Sequence, residues 1–313
     1  MKKTNFSYYK VTKFNSIKEM LNLAVRDAGD KIAIKYKENN NKIVEVSYSQ
    51  VQQQTIWLGA ALTEMGFGDK HIGCIGKNSY EWILTYLTVL KSEGVYVPVD
   101  KELPPNDIFH VLNDSECSIV FYSQTHEDMF MNNMEKLPNV KLYIGFDRTD
   151  DNGIFLSFKK LIEYGKQCNC KKYQELESDP NSLKLLVYTS GTTGIAKGVM
   201  LSEHNLVSSV YYGLQVSTVY DTCLSVLPYH HTYEAVSGLL VSLHKHSTIC
   251  INDSLNAVLK NLQLFNPSYI YLVPAFAEMF YTKIIKNVKE SGKESAFNKL
   301  IVDSTAITPV KNR

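Results

Sequence analysis

The chain has 313 residues, of which 44% are hydrophobic and 21% are charged. A chain of this length forms about two domains, and its apolar content excludes a disordered protein because it suffices for a sizeable core. Its 33 Lys and Arg residues nearly balance its 32 Asp and Glu residues, which leaves a formal charge of +1. Because no net field attracts the chain to nucleic acid or to an anionic bilayer, we predict no nucleic-acid partner and disfavour a membrane surface as a partner.

The cysteines and the N-terminal residues indicate a cytoplasmic protein. Six cysteines are spread over the sequence, and a chain of this length does not need disulfides to fold. The first residues contain no apolar stretch of a secretory signal, and no segment reaches the ~18 apolar residues that span a membrane. Cys168 and Cys170 have no second Cys or His pair nearby. They therefore predict surface thiols, and we predict no metal ligands.

The first elements are a helix, a hairpin and a second helix. A capping box at Ser16 and Glu19 begins the first helix, which ends at Gly29. Apolar residues that alternate on both sides of an Asn-rich turn at 39–41 predict the hairpin. Residues 49–65 have the pattern of the second helix.

Short apolar runs and helix-like stretches alternate from residue 71 onward. Strands are predicted at 71–76, 95–99, 118–122, 141–146, 183–188, 223–227, 247–251 and 268–273. Helices are predicted at 79–92, 105–113, 126–136, 203–214, 254–265 and 275–290. This alternation is typical of parallel sheets covered on both faces. We therefore predict an α/β fold with two doubly wound, mostly parallel sheets and helices on both faces.

Three segments follow from these elements. Residues 1–70 form an N-terminal helix and hairpin segment, 71–182 a first α/β subdomain, and 183–313 a second, incomplete α/β subdomain. Residues 147–182 are rich in Asp, Asn, Lys and Gly and are predicted to connect the two subdomains.

The loop at residues 189–198 has the composition of a polyphosphate site. Seven of its ten residues are Gly, Ser or Thr, it carries one lysine, Lys197, and it lies between two apolar runs. Glycines let backbone N–H groups converge on an oxyanion, hydroxyls add donors, and a lysine adds a point charge. A merely flexible hydrophilic loop does not account for the single lysine and the flanking strands.

Two familiar phosphate loops are excluded by spacing. A Walker loop needs Gly-Lys followed by Ser or Thr, whereas Lys197 here follows Ala196 and precedes Gly198. A dinucleotide fingerprint begins at Gly66 but has His71 where its third glycine is required.

The window from Tyr188 to Leu201 closely resembles the phosphate-loop signature of the acyl-adenylate-forming superfamily, which includes acyl-CoA synthetases, amino-acid adenylation domains and beetle luciferases. Four further stretches resemble family segments in the expected order, so the likeness spans almost the whole chain: 48–62, 90–100, 227–234 and 271–276. The stretch 227–234 is most like the fatty acyl-CoA synthetase branch. The chain is therefore identified as similar to the N-terminal part of a long-chain fatty acyl-CoA synthetase.

The resemblance implies a two-step reaction. A carboxylic acid, for this branch a fatty acid, attacks the α-phosphorus of ATP to give acyl-AMP and pyrophosphate, and the thiol of coenzyme A then displaces AMP. ATP, Mg²⁺ and coenzyme A are the implied co-substrates and cofactor. Adenylation is a phosphoryl substitution, so catalysis consists mainly of positioning and charge neutralisation.

The resemblance also assigns residues. The phosphates would be held by hydroxyls, amides and one ammonium group: Thr189, Ser190, Gly191, Thr192, Thr193, Gly194 and Lys197. His231 would be the catalytic residue, where the acyl carboxylate meets the nucleotide, while His230 is interpreted as structural. Tyr233 and Phe276 would border the acyl pocket, although a role in the core is an equal alternative for both.

The sequence departs from the family in two ways. Ala196 stands where most members have proline, which removes a fixed φ from the loop. The family's aromatic-Gly-x-Thr-Glu segment with its magnesium ligand and its Thr-Gly-Asp segment, which come later, do not occur, and neither does the C-terminal lid. We therefore expect an N-terminal fragment that by itself binds ATP weakly and has no synthetase turnover.

Two other functions stay open. The first is a non-catalytic binding module or half-synthetase that keeps the phosphate loop and acts with a partner chain. The second is an amino-acid adenylation domain, which the stretch 227–234 fits less well.

Overall fold

The N-terminal elements form as the sequence predicts. The computed structural model describes residues 8–38, 42–189 and 196–292, together with 294, 295 and 297. Ser16 caps the first helix by accepting a hydrogen bond from the backbone N–H of Glu19. The Glu19 carboxylate, however, accepts from the N–H of Asn15 instead of closing the predicted capping box on Ser16.

The strands follow the predicted apolar runs closely. They are β1 Ile32–Lys37, β2 Ile43–Ser47, β3 His71–Ile75, β4 Val95–Val99, β5 Ile119–Tyr122, β6 Leu142–Gly145, β7 Phe155–Ser157, β8 Leu183–Thr189, β9 Lys197–Ser202, β10 Thr222–Ser225, β11 Thr248–Ile251 and β12 Tyr269–Ile270. They form a seven-stranded sheet of order β7-β6-β5-β3-β4-β8-β9 and a five-stranded sheet of order β12-β10-β11-β1-β2.

Both sheets are mostly parallel, which confirms the predicted fold class. The exceptions are the pairs β1–β2 and β8–β9, which are antiparallel. The N-terminal hairpin pairs with β11 in the five-stranded sheet, whereas β8 and β9 extend the seven-stranded sheet. Sheet membership thus does not follow the segments 1–70, 71–182 and 183–313, because each antiparallel pair adds to a sheet whose other strands come from a different segment. Whether those segments are folding units stays a prediction.

The helices cover the strands. They are α1 Ile17–Ala28, α2 Tyr48–Glu64, α3 Tyr80–Leu90, α4 Pro105–Asp114, α5 Glu127–Met131, α6 Phe158–Gly165, α7 Lys171–Gln174, α8 Glu203–Val216, α9 Val241–His244, α10 Val258–Phe265 and α11 Pro274–Glu290. Residues Tyr233–Leu240 form a π-helix. The segment 147–182, predicted as a connection, contains β7, α6 and α7. The sequence does not reveal these elements because their apolar runs are short.

The chain divides into two units at Tyr271 and Leu272. Both sheets belong to the first unit, and α11 belongs to the second. No helix among the described residues is long and apolar enough to cross a membrane.

Helix α3 lies in the middle of the largest apolar cluster. Ten of its eleven residues are buried, and Trp82 contacts the rings of Tyr86, Tyr96 and Tyr229 at centroid distances of 5.3, 5.1 and 5.1 Å. Tyr96 belongs to the seven-stranded sheet, and Tyr229 follows a strand of the five-stranded sheet. This aromatic cluster therefore packs together elements of both sheets.

A lysine is buried where α2, α3 and α7 meet. Lys91 is 8% exposed, and its Nζ donates to Thr55 Oγ1 at 2.9 Å and lies 5.7 Å from the centroid of the Tyr173 ring. Gly59 leaves the space that this ring fills, because a Cβ there would overlap it. Lys91 forms no salt bridge within the described part of the chain. Burial, assisted by the charge of Lys18, lowers the pKa of Lys91 to about 7.

We expect the buried amine to make stability depend on pH. An unfolded chain protonates a lysine below about pH 10.4, whereas the folded chain protonates Lys91 only below about pH 7, so stability rises with pH between these values. From about pH 7 to about pH 9.5, the free energy of unfolding should rise by roughly 2–3 kcal/mol more in wild type than in Lys91→Met. Urea unfolding at the two pH values measures this difference. The exposed Lys159→Met is the control, and equal pH dependence in wild type and Lys91→Met would refute the expectation.

Candidate functional site

The predicted phosphate loop joins two antiparallel strands. β8 ends at Thr189 and β9 begins at Lys197, and these two residues are paired across the ladder. Both are exposed. The pairing therefore holds the two ends of the loop side by side at the end of β8. The other five predicted phosphate ligands lie outside the described residues: Ser190, Gly191, Thr192, Thr193 and Gly194.

A cavity of about 680 Å³ with both polar and apolar walls lies beside the loop ends, and we call it the polar cavity after the ionisable side chains that line part of it. β4 and β8 are parallel neighbours, so their carboxyl ends meet at one edge of the sheet, which is where open α/β sheets bind ligands. Residues from these ends, from α4 and from the turn after β10 line the cavity. Its polar or ionisable side chains are Asp100, Asp107, His110, Tyr188, Thr189, His230, His231 and Thr232.

The turn after β10 is fixed by backbone hydrogen bonds and by one asparagine. The amide of Asn78 donates to the carbonyl of Leu227 at 2.8 Å, and its oxygen accepts from the N–H of Tyr229 at 3.2 Å. The N–H of His231 donates to the carbonyl of Pro228, and the carbonyl of His231 accepts from Glu234 at the start of the π-helix. Asn78 follows β3, so this contact holds the His231 turn against the seven-stranded sheet.

The two neighbouring histidines differ in environment. Their ring centroids are 4.2 Å apart, and the His231 side is exposed. His230 Nε2 lies 3.6 Å from Asp100 Oδ2. Burial lowers the pKa of His230 to about 4, with Asp100 opposing the effect and His231 and Lys101 adding to it. His230 is therefore neutral at physiological pH and places no positive charge beside His231.

Tyr188, the last partly buried residue of β8, is a fixed donor. Its hydroxyl donates to Asp114 Oδ2 at 2.6 Å. Burial and the Asp114 carboxylate raise the pKa of Tyr188, so the phenol stays protonated. Asp114 ends α4, and the bond thereby ties α4 to the strand that leads into the loop.

An apolar cavity of about 480 Å³ lies next to the polar one. Its apolar walls come from β8, β9, α8 and the π-helix: Val187, Val199, Leu201, Leu206, Tyr233 and Val236. The polar and apolar cavities share Val187, Thr189 and Thr232. The two spaces therefore meet at the first residue of the predicted phosphate loop.

The structure brings some of the predicted site residues together. Thr189, His231 and Tyr233 line the two cavities, and Lys197 is paired with Thr189. Tyr233 is 44% exposed, with its ring 5.7 Å from that of Tyr271. Phe276 lies on α11, in the unit that begins at Leu272, where its ring is 6.4 Å from that of Phe280. Its place in an acyl pocket stays a prediction.

Sequence reasoning missed several cavity residues. Asp100, Asp107, His110 and Tyr188 were not assigned roles, although Asp100 and Tyr188 lie at strand ends, which is the signal that could have identified them. No group of three or more His, Cys, Asp or Glu side chains that could hold a metal ion occurs among the described residues.

Comparison with known proteins identifies the family of the chain. Residues 21–308 match the family model described as AMP-binding enzyme. The chain is 28% identical over 302 residues to long-chain-fatty-acid–CoA ligase 5 of Rattus norvegicus, covering 90% of this chain and 43% of the relative. It is 26% identical over 265 residues to fatty acyl-CoA synthetase B of Dictyostelium discoideum, covering 80% of this chain and 39% of the relative. The chain thus spans less than half the length of these relatives.

Solved structures show the same fold. The adenylation and carrier didomain of a carboxylic acid reductase from Segniliparus rugosus, in complex with AMP, superimposes with a TM-score of 0.77 at 18% identity, covering 88% of this chain and 45% of that one. A long-chain-fatty-acid-CoA ligase from Archaeoglobus fulgidus gives a TM-score of 0.72 at 18% identity, covering 85% of this chain and 52% of that one. From the family match over most of its length, the chain belongs to the AMP-binding enzymes.

Proposed function

We propose that this chain supplies the phosphate loop and the acyl pocket of an ATP-dependent fatty acyl-CoA synthetase. The observation that carries the proposal is the meeting of a polar and an apolar cavity at Thr189 and Thr232. A reaction that joins an apolar acid to a nucleotide phosphate needs two such spaces, with the reacting atoms at their boundary. The names of the relatives from Rattus norvegicus and Dictyostelium discoideum support a fatty acid as the acid.

The proposed first step is an in-line substitution. A carboxylate oxygen of the acid attacks the α-phosphorus of ATP, the new oxygen–phosphorus bond forms, and pyrophosphate leaves with the bonding electrons. Charge on the departing pyrophosphate is stabilised by donors aimed at it. The hydroxyl of Thr189 and the ammonium of Lys197, together with the loop residues between them, would supply those donors.

His231 would orient the acid. Its exposed ring lies in the polar cavity next to Thr232, which also lines the apolar cavity. A hydrogen bond from this ring would hold the carboxylate near the phosphates while the hydrocarbon chain occupies the apolar side. The neutral state of its neighbour His230 is compatible with this role, because His230 then carries no positive charge that would compete for the carboxylate.

In the second proposed step, the thiol of coenzyme A attacks the acyl carbon and AMP leaves. Mg²⁺, when bound, would neutralise phosphate charge. No cluster of three or more His, Cys, Asp or Glu side chains that could hold a metal ion occurs among the described residues, and we derive no step from a metal.

All six cysteines lie among the described residues, and all are free. Free thiols are typical of a reducing compartment. This supports the proposed cytoplasmic location.

The alternative of a non-catalytic phosphate-loop module that acts with a partner chain stays open. The 313 residues contain neither the Thr-Gly-Asp segment nor the aromatic-Gly-x-Thr-Glu segment of complete synthetases. The proposal for the 313 residues by themselves is therefore weak ATP binding without turnover.

ATP–pyrophosphate exchange with a panel of fatty acids and amino acids tests these proposals. It is measured on the 313 residues and on the complete gene product that carries them. Exchange that depends on fatty acids supports the synthetase, and exchange that depends on amino acids supports an adenylation domain. Absence of exchange in the complete gene product supports the binding module.

Replacement of the loop lysine should abolish phosphate recognition. In the complete gene product, Lys197→Met is expected to lower the rate of fatty-acid-dependent exchange by about 100-fold or more, because the leaving pyrophosphate loses a charged donor. The exposed Lys172→Met is the matched control and should leave the rate unchanged. A rate within a few-fold of wild type in Lys197→Met would contradict the assigned role.

Two adjacent residues of β9 test the acyl pocket. Val199 lines the apolar cavity, whereas Met200 does not and is 67% exposed, since successive side chains of a strand point to opposite faces. Val199→Trp should fill the cavity and weaken binding of a C16 fatty acid by about tenfold or more, while Met200→Trp should not. Thermal-shift titration with fatty acids, and with amino acids for comparison, measures the effect. Equal effects of the two tryptophans would argue against this pocket.

A further inference from the structure

A carboxyl group is buried beneath the π-helix. Glu234 is 1% exposed and lies in the first turn of the helix Tyr233–Leu240. Its Oε1 accepts a hydrogen bond from Ser225 Oγ, at the end of β10. Its Oε2 is buried and has no hydrogen-bond partner among the described residues. A buried carboxylate must be paired with a cation and hydrogen-bonded to stay ionised at low cost, whereas Glu234 has one hydroxyl donor.

No basic group in the described part of the chain offsets this burial. The titratable groups that face Glu234 are Cys223 on β10, Tyr229 in the following turn and Tyr271 after β12, all of which are neutral when protonated. Burial raises the pKa of Glu234 to about 8, against the opposing effect of the Ser225 hydrogen bond. The side chain is therefore mostly a neutral carboxylic acid at pH 7.

The carboxyl packs onto the same helix at Gly238. A Cβ built on Gly238 would lie 2.5 Å from the carboxyl carbon and 2.6 Å from Oε1 of Glu234. Only a glycine leaves this space. We call the arrangement of Ser225, Glu234 and Gly238 the Glu234 clamp, because it joins the π-helix to the end of β10.

The clamped helix forms a wall of the apolar cavity. Tyr233, Val236 and Ser237 all line that cavity, and they flank Glu234 within the same π-helix. The π form is rare and is frequently found at functional sites. The geometry of this wall therefore depends on the clamp that holds the helix.

We propose that Glu234 is a positioning residue for the acyl pocket: its neutral carboxyl, held between Ser225 and Gly238, fixes the π-helical wall, and its ionisation releases that wall and weakens acyl binding. This inference rests on the proposed acyl site. Ionisation without a buried cation requires water or movement of the side chain toward solvent. Either change separates the carboxyl from Gly238 and alters the positions of Tyr233 and Val236.

The first test measures the ionisation of Glu234 in the absence of any ligand. The Trp82 ring lies 5.1 Å from the Tyr229 ring, and Tyr229 Oη lies 3.1 Å from Ser225 Oγ. The chain has two tryptophans, so a Trp57→Phe background leaves Trp82 as the reporter. Its fluorescence should show a transition near pH 8 that disappears in Glu234→Gln, which is neutral at every pH.

The second test measures how the affinity of the apolar cavity for a fatty acid depends on pH. Binding of cis-parinaric acid, a fluorescent C18 fatty acid whose own carboxyl stays ionised, is measured between pH 6.5 and pH 9.5. Affinity of the wild-type chain should fall by about fivefold or more with rising pH, a typical coupling between two sites. Glu234→Gln should keep the same affinity throughout. Glu203→Gln is the matched control, since Glu203 is equally buried at 1% exposure but accepts from the N–H of Ile17 and does not line the cavity.

The outcomes separate the inference from the proposed function. Binding that is independent of pH in wild type, or that falls equally in Glu234→Gln, overturns the positioning role and leaves the acyl site standing. Absence of binding at every pH overturns the acyl site and, with it, the positioning role, whereas a Trp82 transition lost in Glu234→Gln still establishes the clamp. Should Glu234→Gln not fold, Gly238→Ala replaces it: its methyl group displaces the carboxyl and should weaken binding already at pH 6.5. Unchanged binding in that variant refutes the role.

Discussion

The antiparallel pairing of β8 with β9 is the constraint on which the candidate site depends. It places Thr189 opposite Lys197 at the end of a strand whose parallel neighbour, β4, ends at the same edge. β9 is the edge strand of the seven-stranded sheet, and its backbone hydrogen bonds with β8 fix the register of the two strands. The loop ends are therefore held side by side, and both cavities lie beside Thr189.

The five-stranded sheet contributes to the site through the turn that follows β10. The residues after β10 place His230, His231 and Tyr233 near the ends of β4 and β8. Asn78, which follows a strand of the seven-stranded sheet, forms two hydrogen bonds with this turn. Trp82 and Tyr229 pack beneath it. Because the catalytic candidates come from one sheet and the loop ends from the other, the packing between the sheets determines whether a site exists. The Glu234 clamp also constrains this turn, because it joins the π-helix that follows the turn to the end of β10, which precedes it.

Buried ionisable groups recur in this interior, and they have different consequences. Lys91 has one hydroxyl partner and an aromatic ring, and Glu234 has one hydroxyl partner and three neutral neighbours. Burial favours the neutral form of each, which lowers the pKa of the amine and raises that of the carboxyl. Lys91 lies among helices remote from the cavities and affects stability, whereas Glu234 lies under a cavity wall. The different consequences of Lys91 and Glu234 therefore follow from where each side chain lies in the fold.

The sequence by itself determined the local elements, because apolar periodicity and capping residues such as Ser16 act over a few positions. It also indicated the family, through the Gly, Ser and Thr residues around Lys197. It did not show that β8 and β9 join the seven-stranded sheet or that β1 joins the five-stranded sheet, since these strands pair with strands far away in the chain. Nor did it show the burial of Glu234 or its contact with Gly238, because burial of a charge-bearing side chain reflects packing between elements far apart in the chain. Only the tertiary structure decided these, by bringing the ends of β4 and β8 and the turn after β10 to one place.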